Sequence, residues 1–379
     1  MSIEKMNQEI DRLDDQLLKL FEQRMELVAE IGRHRDELSQ PVIDTEHERK
    51  TLFRLCERAR PELAGYVKVL FSSLFEISRS HQRAHNLHDS AVKKLLDDAA
   101  QHMPDAFPLR ATAACQGVEG AYSQAACDKL FSPADITYFN SFEGVFQAVE
   151  SGLCRFGVVP LENSSAGSVN EVYDLMNRYR FYIVRSIKLP ISHTLLAAPG
   201  AKIDDIKEVF SQEQAIRQCS RFLKSWKGVK VTECANTAMA AKQAASSGRT
   251  DAAVISSRDC AELYGLQALS FNIQNTDNNY TRFICISKKL EIYPGAHKTS
   301  LMLALKNKPG SLYNVLAKFN AQGINMNKLE SRPIAGQIFE FLFYFDIDTP
   351  VISDELKQVL AELEQETDMF SFLGFYQET

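Results

Sequence analysis

The sequence predicts a multidomain protein of three structural classes in series: all-α, then α/β, then α+β. Three observations predict it. Apolar residues recur at three- and four-residue intervals through the first ninety positions. From Ala111 short apolar runs alternate with helical ones. Beyond about residue 297 the runs fall in the order βαββαβ. A chain of 379 residues fits two or three domains, and 45% hydrophobic with 24% charged residues is ordinary for globular protein.

The net charge of -6 gives no support to a nucleic-acid partner, so an anionic substrate must be drawn in by local cations. No apolar run approaches the ~20 residues of a membrane span, and Met1–Lys5 has no signal-peptide core; a cytoplasmic protein with no membrane partner is expected. The eight cysteines include no C-x-x-C pair and read as reduced thiols. His81, His85 and His88 lie at helical offsets without acidic or cysteine partners, so neither a metal nor a cofactor is expected.

In the first stretch Ile3, Met6, Ile10, Leu13, Leu17, Leu20, Val28 and Ile31 mark one long amphipathic helix, ended by Ser39-Gln40-Pro41. A second helix is predicted from about Thr45 to Arg58, capped by Asp44, and a third from Leu63 past Gln82. Three helices are too open to bury the long stripe, which calls for a partner chain. Arg24 and Arg35 share a face of the first helix; Asp44, Glu48, Ser78 and Gln82 supply polar groups on the other two.

This layout resembles the all-helical chorismate mutase family over the whole stretch. The Leu13-Asp14-x-x-Leu17-Leu18 run, Arg24, Pro41-Val42-x-Asp44, Glu48, and Ser78 with Gln82 carry the likeness. The resemblance implies rearrangement of chorismate to prephenate, with Arg24 on a carboxylate, Arg35 and Gln82 on the ether oxygen, and Glu48 with Asp44 on the ring hydroxyl. Asn7 replaces an arginine that the family sends into the partner's site, Arg35 a usual lysine, and His47 a common arginine. A lost charged hydrogen bond removes roughly 1.5–3 kcal/mol, so weakened turnover is expected, with the domain serving partly as a dimerisation arm.

Ala91–Gln101 reads helical and Pro104–Pro108 punctuates, giving a linker over 91–108. Between about 109 and 290, predicted strands at 111–115, 156–159, 182–187, 194–197, 207–211, 229–234, 252–255 and 283–287 alternate with helices. Ligands of such sheets lie beyond strand ends, near helix N-termini. Gly117–Ser123, Val159–Ser168 and Asn236-Thr237-Ala238 occupy strand-to-helix turns. Asn279-Tyr280-Thr281-Arg282-Phe283 closes the series by running into an apolar strand. A hydroxyl beside a guanidinium suits an anionic substrate with a departing oxygen.

In this order these segments resemble the prephenate dehydratase family, which implies a bilobal fold like that of periplasmic binding proteins, with substrate in the inter-lobe cleft. Ser211 with Gln214–Cys219 and Tyr264-Gly265-Leu266 add to the likeness; Gln212-Glu213 departs from a frequent His-Pro. The implied reaction takes prephenate to phenylpyruvate, CO2 and water. Thr281 is expected to donate to the leaving hydroxyl, relaying a proton from water or Glu162. Arg282 is expected to anchor a carboxylate. Asn163, Ser164 and Gln218 would orient the rest, with Ser123 and Thr237 at the helix starts. Phe283 either keeps water from the departing carboxylate or serves the core.

Residues 297–379 read as a ferredoxin-like unit. Pro309-Gly310-Ser311-Leu312 and Glu330-Ser331-Arg332-Pro333 resemble the ACT regulatory domain attached to prephenate dehydratases, which implies L-phenylalanine as allosteric effector at a dimer interface, with the Ser311 N–H suited to its carboxylate. The expectation is feedback control of a homodimer or higher homo-oligomer. Two alternatives stay open: arogenate as substrate, and a non-catalytic bilobal small-molecule sensor.

Overall fold

The computed structural model describes residues 2–37, 45–84, 90–226, 228–234, 236–333 and 341–379. Asp44, His85, His88 and the 39–42 turn lie outside the described residues. In chain order the elements are α1 Ile3–Glu37, α2 Thr45–Arg58, α3 Ala64–Ala84, α4 Ala91–Gln101, β1 Ala111–Gln116, α5 Tyr122–Leu130, β2 Ala134–Phe139, α6 Phe142–Glu150, β3 Phe156–Asn163, β4 Gly167–Ser168, α7 Asn170–Tyr179, β5 Tyr182–Pro190, β6 Thr194–Ala197 and β7 Glu208–Ser211. They continue as α8 Glu213–Gln218, α9 Ser220–Ser225, β8 Lys230–Glu233, α10 Thr237–Ser247, β9 Ala252–Ser256, α11 Asp259–Tyr264, β10 Gln267–Ser270, β11 Tyr280–Ser287, β12 Lys298–Leu305, α12 Ser311–Ala321, β13 Met326–Pro333, β14 Phe341–Asp348, α13 Asp354–Glu366 and β15 Met369–Glu378.

The chain divides into two compact units: 1–96 with 305–323 and 352–368, and 97–304 with 324–351 and 369–379. In the first, the periodic stripe of α1 is largely uncovered: Ile10, Leu13, Leu17 and Leu20 are each more than half exposed. Helix α3 carries contacts on two sides. Toward α1, Gln82 Nε2 donates to Val28 O at 3.1 Å. Toward the C-terminal helices, Ser80 Oγ donates to Glu362 Oε2 of α13 at 2.7 Å, and Asn314 Nδ2 of α12 to Glu76 Oε1 at 2.8 Å.

The second unit holds two sheets. The larger runs β13-β14-β12-β15-β5-β11-β3-β1-β2, with β4 on β3; the smaller runs β10-β6-β9-β7-β8. The chain crosses between them after β5 and returns after β10, so the two sheets are two lobes joined by two crossover segments. Of the C-terminal βαββαβ run, the four strands stand in the order β13-β14-β12-β15, the ferredoxin-like order. Strand β15 continues past them to pair in parallel with β5, Gln377 against Arg185. Apolar residues of alternating parity fill both faces of the large sheet: Ile284 and Ile286 on one side, Phe283 and Cys285 on the other. Gly157 is dictated by this packing, because a Cβ there would meet Ile286 and Val145 side chains at 2.9 Å.

The predicted elements differ in several places: β2, β4 and β10 lie where no strand is expected, and β3 and β5 run on to Asn163 and Pro190, past the expected 159 and 187. The helical run expected between the strands at 207–211 and 229–234 breaks at Cys219 into α8 and α9. Strand β11 begins at Tyr280, three residues before the expected 283, because its backbone pairs with β5 from Pro190 onward. That extension takes Thr281 and Arg282 into the strand.

Candidate active site

Within a strand, successive side chains leave opposite faces. Thr281 lies across from Asn163, and Arg282 across from Glu162. The first pair shares one face and the second pair the other. The expectation that Thr281, Arg282, Glu162 and Asn163 look into one crevice is therefore corrected: the sheet separates them two by two.

On the first face, the polarity of the site follows from backbone groups. Asn163 Oδ1 accepts from the Ser165 and Ala166 N–H groups at 3.0 and 2.9 Å, which fixes the orientation of the amide. Its Nδ2 then donates to Asn279 Oδ1 at 2.9 Å, Tyr280 O at 3.2 Å and Thr281 Oγ1 at 2.9 Å. Gln218, on α8 of the other lobe, donates from Nε2 to Asn163 Oδ1 at 3.3 Å and accepts on Oε1 from Asn279 Nδ2 at 3.0 Å. Gln218 so ties the lobes together at the crossovers. Ser164 belongs to the same frame through its Oγ, which donates to Asn278 O at 3.1 Å and accepts the Tyr280 N–H at 2.9 Å.

Beside this network lies a polar cleft of about 860 Å³ lined by residues of both lobes, among them Ser165, Gln214, Arg217, Gln218, Asn275 and Asn279. Thr281, 8% exposed, stands behind the lining residue Asn279, with Asn163 donating to both. Arg217 is the single cation among the described lining residues. Sequence reading missed Arg217, Asn279 and His193; Arg217 and Asn279 sat inside quoted segments, but their roles depend on which lobe each faces.

On the opposite face Arg282, 3% exposed, is locked into a buried charge cluster. Its guanidinium pairs with Asp346 and donates to Tyr376 Oη at 2.6 Å, while its Nε lies 2.7 Å from Glu378 Oε2 without a linear hydrogen bond. Tyr344 Oη donates to Asp346 Oδ1 at 2.7 Å, and Ser300 joins the same carboxylate. Burial alone would lower the Arg282 pKa, but the surrounding Tyr376, Asp346 and Glu378 raise it and keep the cation. Glu162 pairs with Arg282 and Lys328 on this face and has no line to Thr281, so the proposed proton relay through Glu162 is withdrawn. Phe283 is 2% exposed and packs in the core, which takes it out of the substrate's reach.

The remaining expected residues are scattered. Ser123 is buried in the first turn of α5, and Thr237 opens α10 behind the Asn236 cap, whose Oδ1 accepts the Met239 N–H at 2.7 Å. In the helical unit, Arg24 reaches Ser78 Oγ and Leu74 O across to α3, so Arg24, Ser78 and Gln82 gather between α1 and α3. Glu48 is held by Arg79, which also pairs with Glu76. Arg35 is half-buried near the end of α1. Gly310 has φ +89 at the start of α12, as a glycine-requiring turn should. The Ser311 N–H, expected to be open for a carboxylate, donates to Lys308 O at 3.2 Å, and Leu312 is half-buried. On β13, Glu330 accepts from Ser168 Oγ at 3.0 Å and Arg332 donates to Asn170 O at 2.6 Å, while Ser331 and Pro333 are exposed. Gly310–Leu312 and Glu330–Pro333 belong to different units.

A helical domain and a two-lobed α/β domain with an amide-lined cleft are the folds on which, by the family matches, an isomerase is joined to a lyase. The chorismate mutase type II family matches residues 6–83 and the prephenate dehydratase family residues 113–291. The bifunctional chorismate mutase/prephenate dehydratase of Escherichia coli K12 is 32% identical over 98% of this chain and 95% of its own. An arogenate dehydratase/prephenate dehydratase of Arabidopsis thaliana is 35% identical over 76% of this chain and 77% of its own. A solved prephenate dehydratase of Arthrobacter aurescens in complex with L-Phe is similar at 27% identity and TM-score 0.64, covering 70% of this chain and 89% of that one. The chain belongs to the bifunctional chorismate mutase/prephenate dehydratase family. No described helix is long and apolar enough to cross a membrane.

Proposed function

We propose that the chain converts prephenate to phenylpyruvate in its two-lobed domain, over residues 109–290, and rearranges chorismate in its helical domain, over 1–90, with 91–108 as linker. The observation that carries the dehydratase reading is the fixed amide frame at the lobe junction: Asn163, Gln218 and Asn279 hold Thr281 Oγ1 as acceptor of Asn163 Nδ2. The Thr281 proton then has no acceptor among the described residues and is free for the substrate's C4 oxygen. As the ring carboxylate leaves as CO2, its bonding pair enters the ring, the C4–O bond breaks, and the departing oxygen, hydrogen-bonded by Thr281, leaves as water with net uptake of one proton from solvent. Aromatisation drives the step, so positioning and one hydrogen bond suffice. Arg217 takes over the carboxylate-anchoring role first given to Arg282.

The mutase reading rests on Arg24, Ser78 and Gln82 gathering between α1 and α3, with Asn7 in place of the expected arginine lowering its rate. The uncovered stripe of α1 supports a homodimer closed along that helix. Residues 297–379 act as an ACT-type regulatory domain for L-phenylalanine; the βαββαβ order and the L-Phe complex of the Arthrobacter aurescens relative support this. The eight free thiols suit the cytoplasm.

One experiment tests the set: the purified chain is given prephenate, arogenate and chorismate separately, with and without phenylalanine. Phenylpyruvate from prephenate, loss of chorismate at a reduced rate, and suppression of the first by phenylalanine are expected. Turnover of arogenate in preference to prephenate would reassign the substrate, and no turnover of either would leave only a sensor. Leu17→Glu on the exposed stripe is expected to shift sedimentation from dimer toward monomer; an unchanged mass would place the dimer contact elsewhere.

A further inference from the structure

We propose that His193 is a positioning residue for the dehydratase, whose Nε2–H clamps Gln218 Oε1 at the head of a hydrogen-bond chain that ends on Thr281 Oγ1. This rests on the reading of Thr281 as the donor to substrate.

His193 lies in the crossover between β5 and β6 and is 2% exposed. Its backbone ties that crossover to the returning one: its N–H donates to Gln274 Oε1 and its carbonyl accepts from Ile273 N, both at 3.0 Å. Its ring Nε2 lies 2.7 Å from Gln218 Oε1. The tautomer follows step by step from groups whose polarity is fixed. The Ser165 and Ala166 N–H groups compel Asn163 to present Oδ1 to them, and therefore to Gln218 as well. Gln218 must answer with Nε2, which turns its Oε1 toward Asn279 Nδ2 and His193. Two oxygens or lone pairs cannot share 2.7 Å, so His193 Nε2 carries the hydrogen. Its Nδ1 is buried without a partner, which leaves no acceptor to draw the proton to the other nitrogen. Burial also holds the His193 pKa below its ordinary value, with the Gln218 bond opposing, which favours the neutral ring.

The result is a one-way chain: His193 to Gln218, Gln218 to Asn163, Asn163 to Thr281. Every link donates toward Thr281, so the threonine oxygen is filled as an acceptor and its own proton is left for the substrate. Removing the first donor leaves Gln218 Oε1 held by Asn279 Nδ2 alone, which loosens Gln218 against Asn163 and lets Asn163 tilt.

The test combines kinetics with nitrogen NMR on the full chain. His193→Leu is expected to lower kcat for prephenate roughly ten- to thirtyfold, the size of one lost hydrogen bond, with KM within about threefold. His193→Gln, whose Nε2 reaches the place of the ring Nε2, is expected to recover most of the rate. In the wild-type protein the ring should show a neutral imidazole protonated on Nε2. An Nδ1-protonated ring overturns the proposal even if the leucine variant fails to fold. A leucine variant with wild-type kcat overturns it too. If Thr281→Ala also keeps the wild-type rate, the donor reading fails with it; if Thr281→Ala is crippled while His193→Leu is not, only the role of His193 falls.

Discussion

Thr281→Ala is expected to lower kcat for prephenate by about 10²- to 10⁴-fold, the range for losing a positioned proton donor. KM should change little. The alanine removes one of three acceptors of Asn163 Nδ2 and leaves Asn279 Oδ1 and Tyr280 O in place. The amide frame and the cleft wall therefore survive, at a stability cost of about 1 kcal/mol. Thr281→Ser should restore much of the rate, since it keeps the oxygen. Steady-state formation of phenylpyruvate decides it, and a rate within tenfold of wild type would remove Thr281 from the mechanism.

Arg282→Met is expected to act on stability rather than on chemistry. It leaves the Asp346 carboxylate, 1% exposed, with only hydroxyl partners, and takes from Glu378 one cation, leaving it Lys188 and Lys298. Breaking a buried ion pair from one side costs roughly 3–5 kcal/mol, which denaturant unfolding will read. The fraction that folds should keep KM for prephenate within a few-fold. A variant of normal stability whose KM rises tenfold or more would return Arg282 to the substrate. The same cluster sets an acid limit. Burial pushes the Glu378 carboxyl up, but Arg282, Lys188 and Lys298 outweigh it and hold it at about 2, against 4.5 unperturbed. A depressed folded-state pKa contributes stability that is fully present above 4.5 and lost as pH falls toward 2. In Arg282→Met that acid-dependent loss should shrink.

The two residues are neighbours in sequence, and their opposite fates show where reading the chain stops. Placed just before a strand, Thr281 and Arg282 look like joint occupants of one lip. Pairing of Tyr280 with Pro190 and of Thr281 with Asn163 moves both into the strand, where the pleat sends them to opposite faces. A three-residue difference in where β11 starts to pair is invisible in composition, because polar residues occur on both kinds of lip. His193 was silent for a related reason: a lone histidine among apolar residues carries no signal until Gln218 arrives from another lobe.

The order of classes, the long stripe of α1, the alternation of the central region and the turn chemistry at Gly310 and Asn236 were fixed by local periodicity and capping, which act between residues a few positions apart. The tertiary structure alone decided which polar residues share a face, that Gln218 spans two lobes, and that Arg282 serves a buried charge cluster. Those outcomes depend on strand register and sheet order, which join segments 55 to 118 residues apart and leave no period in the sequence.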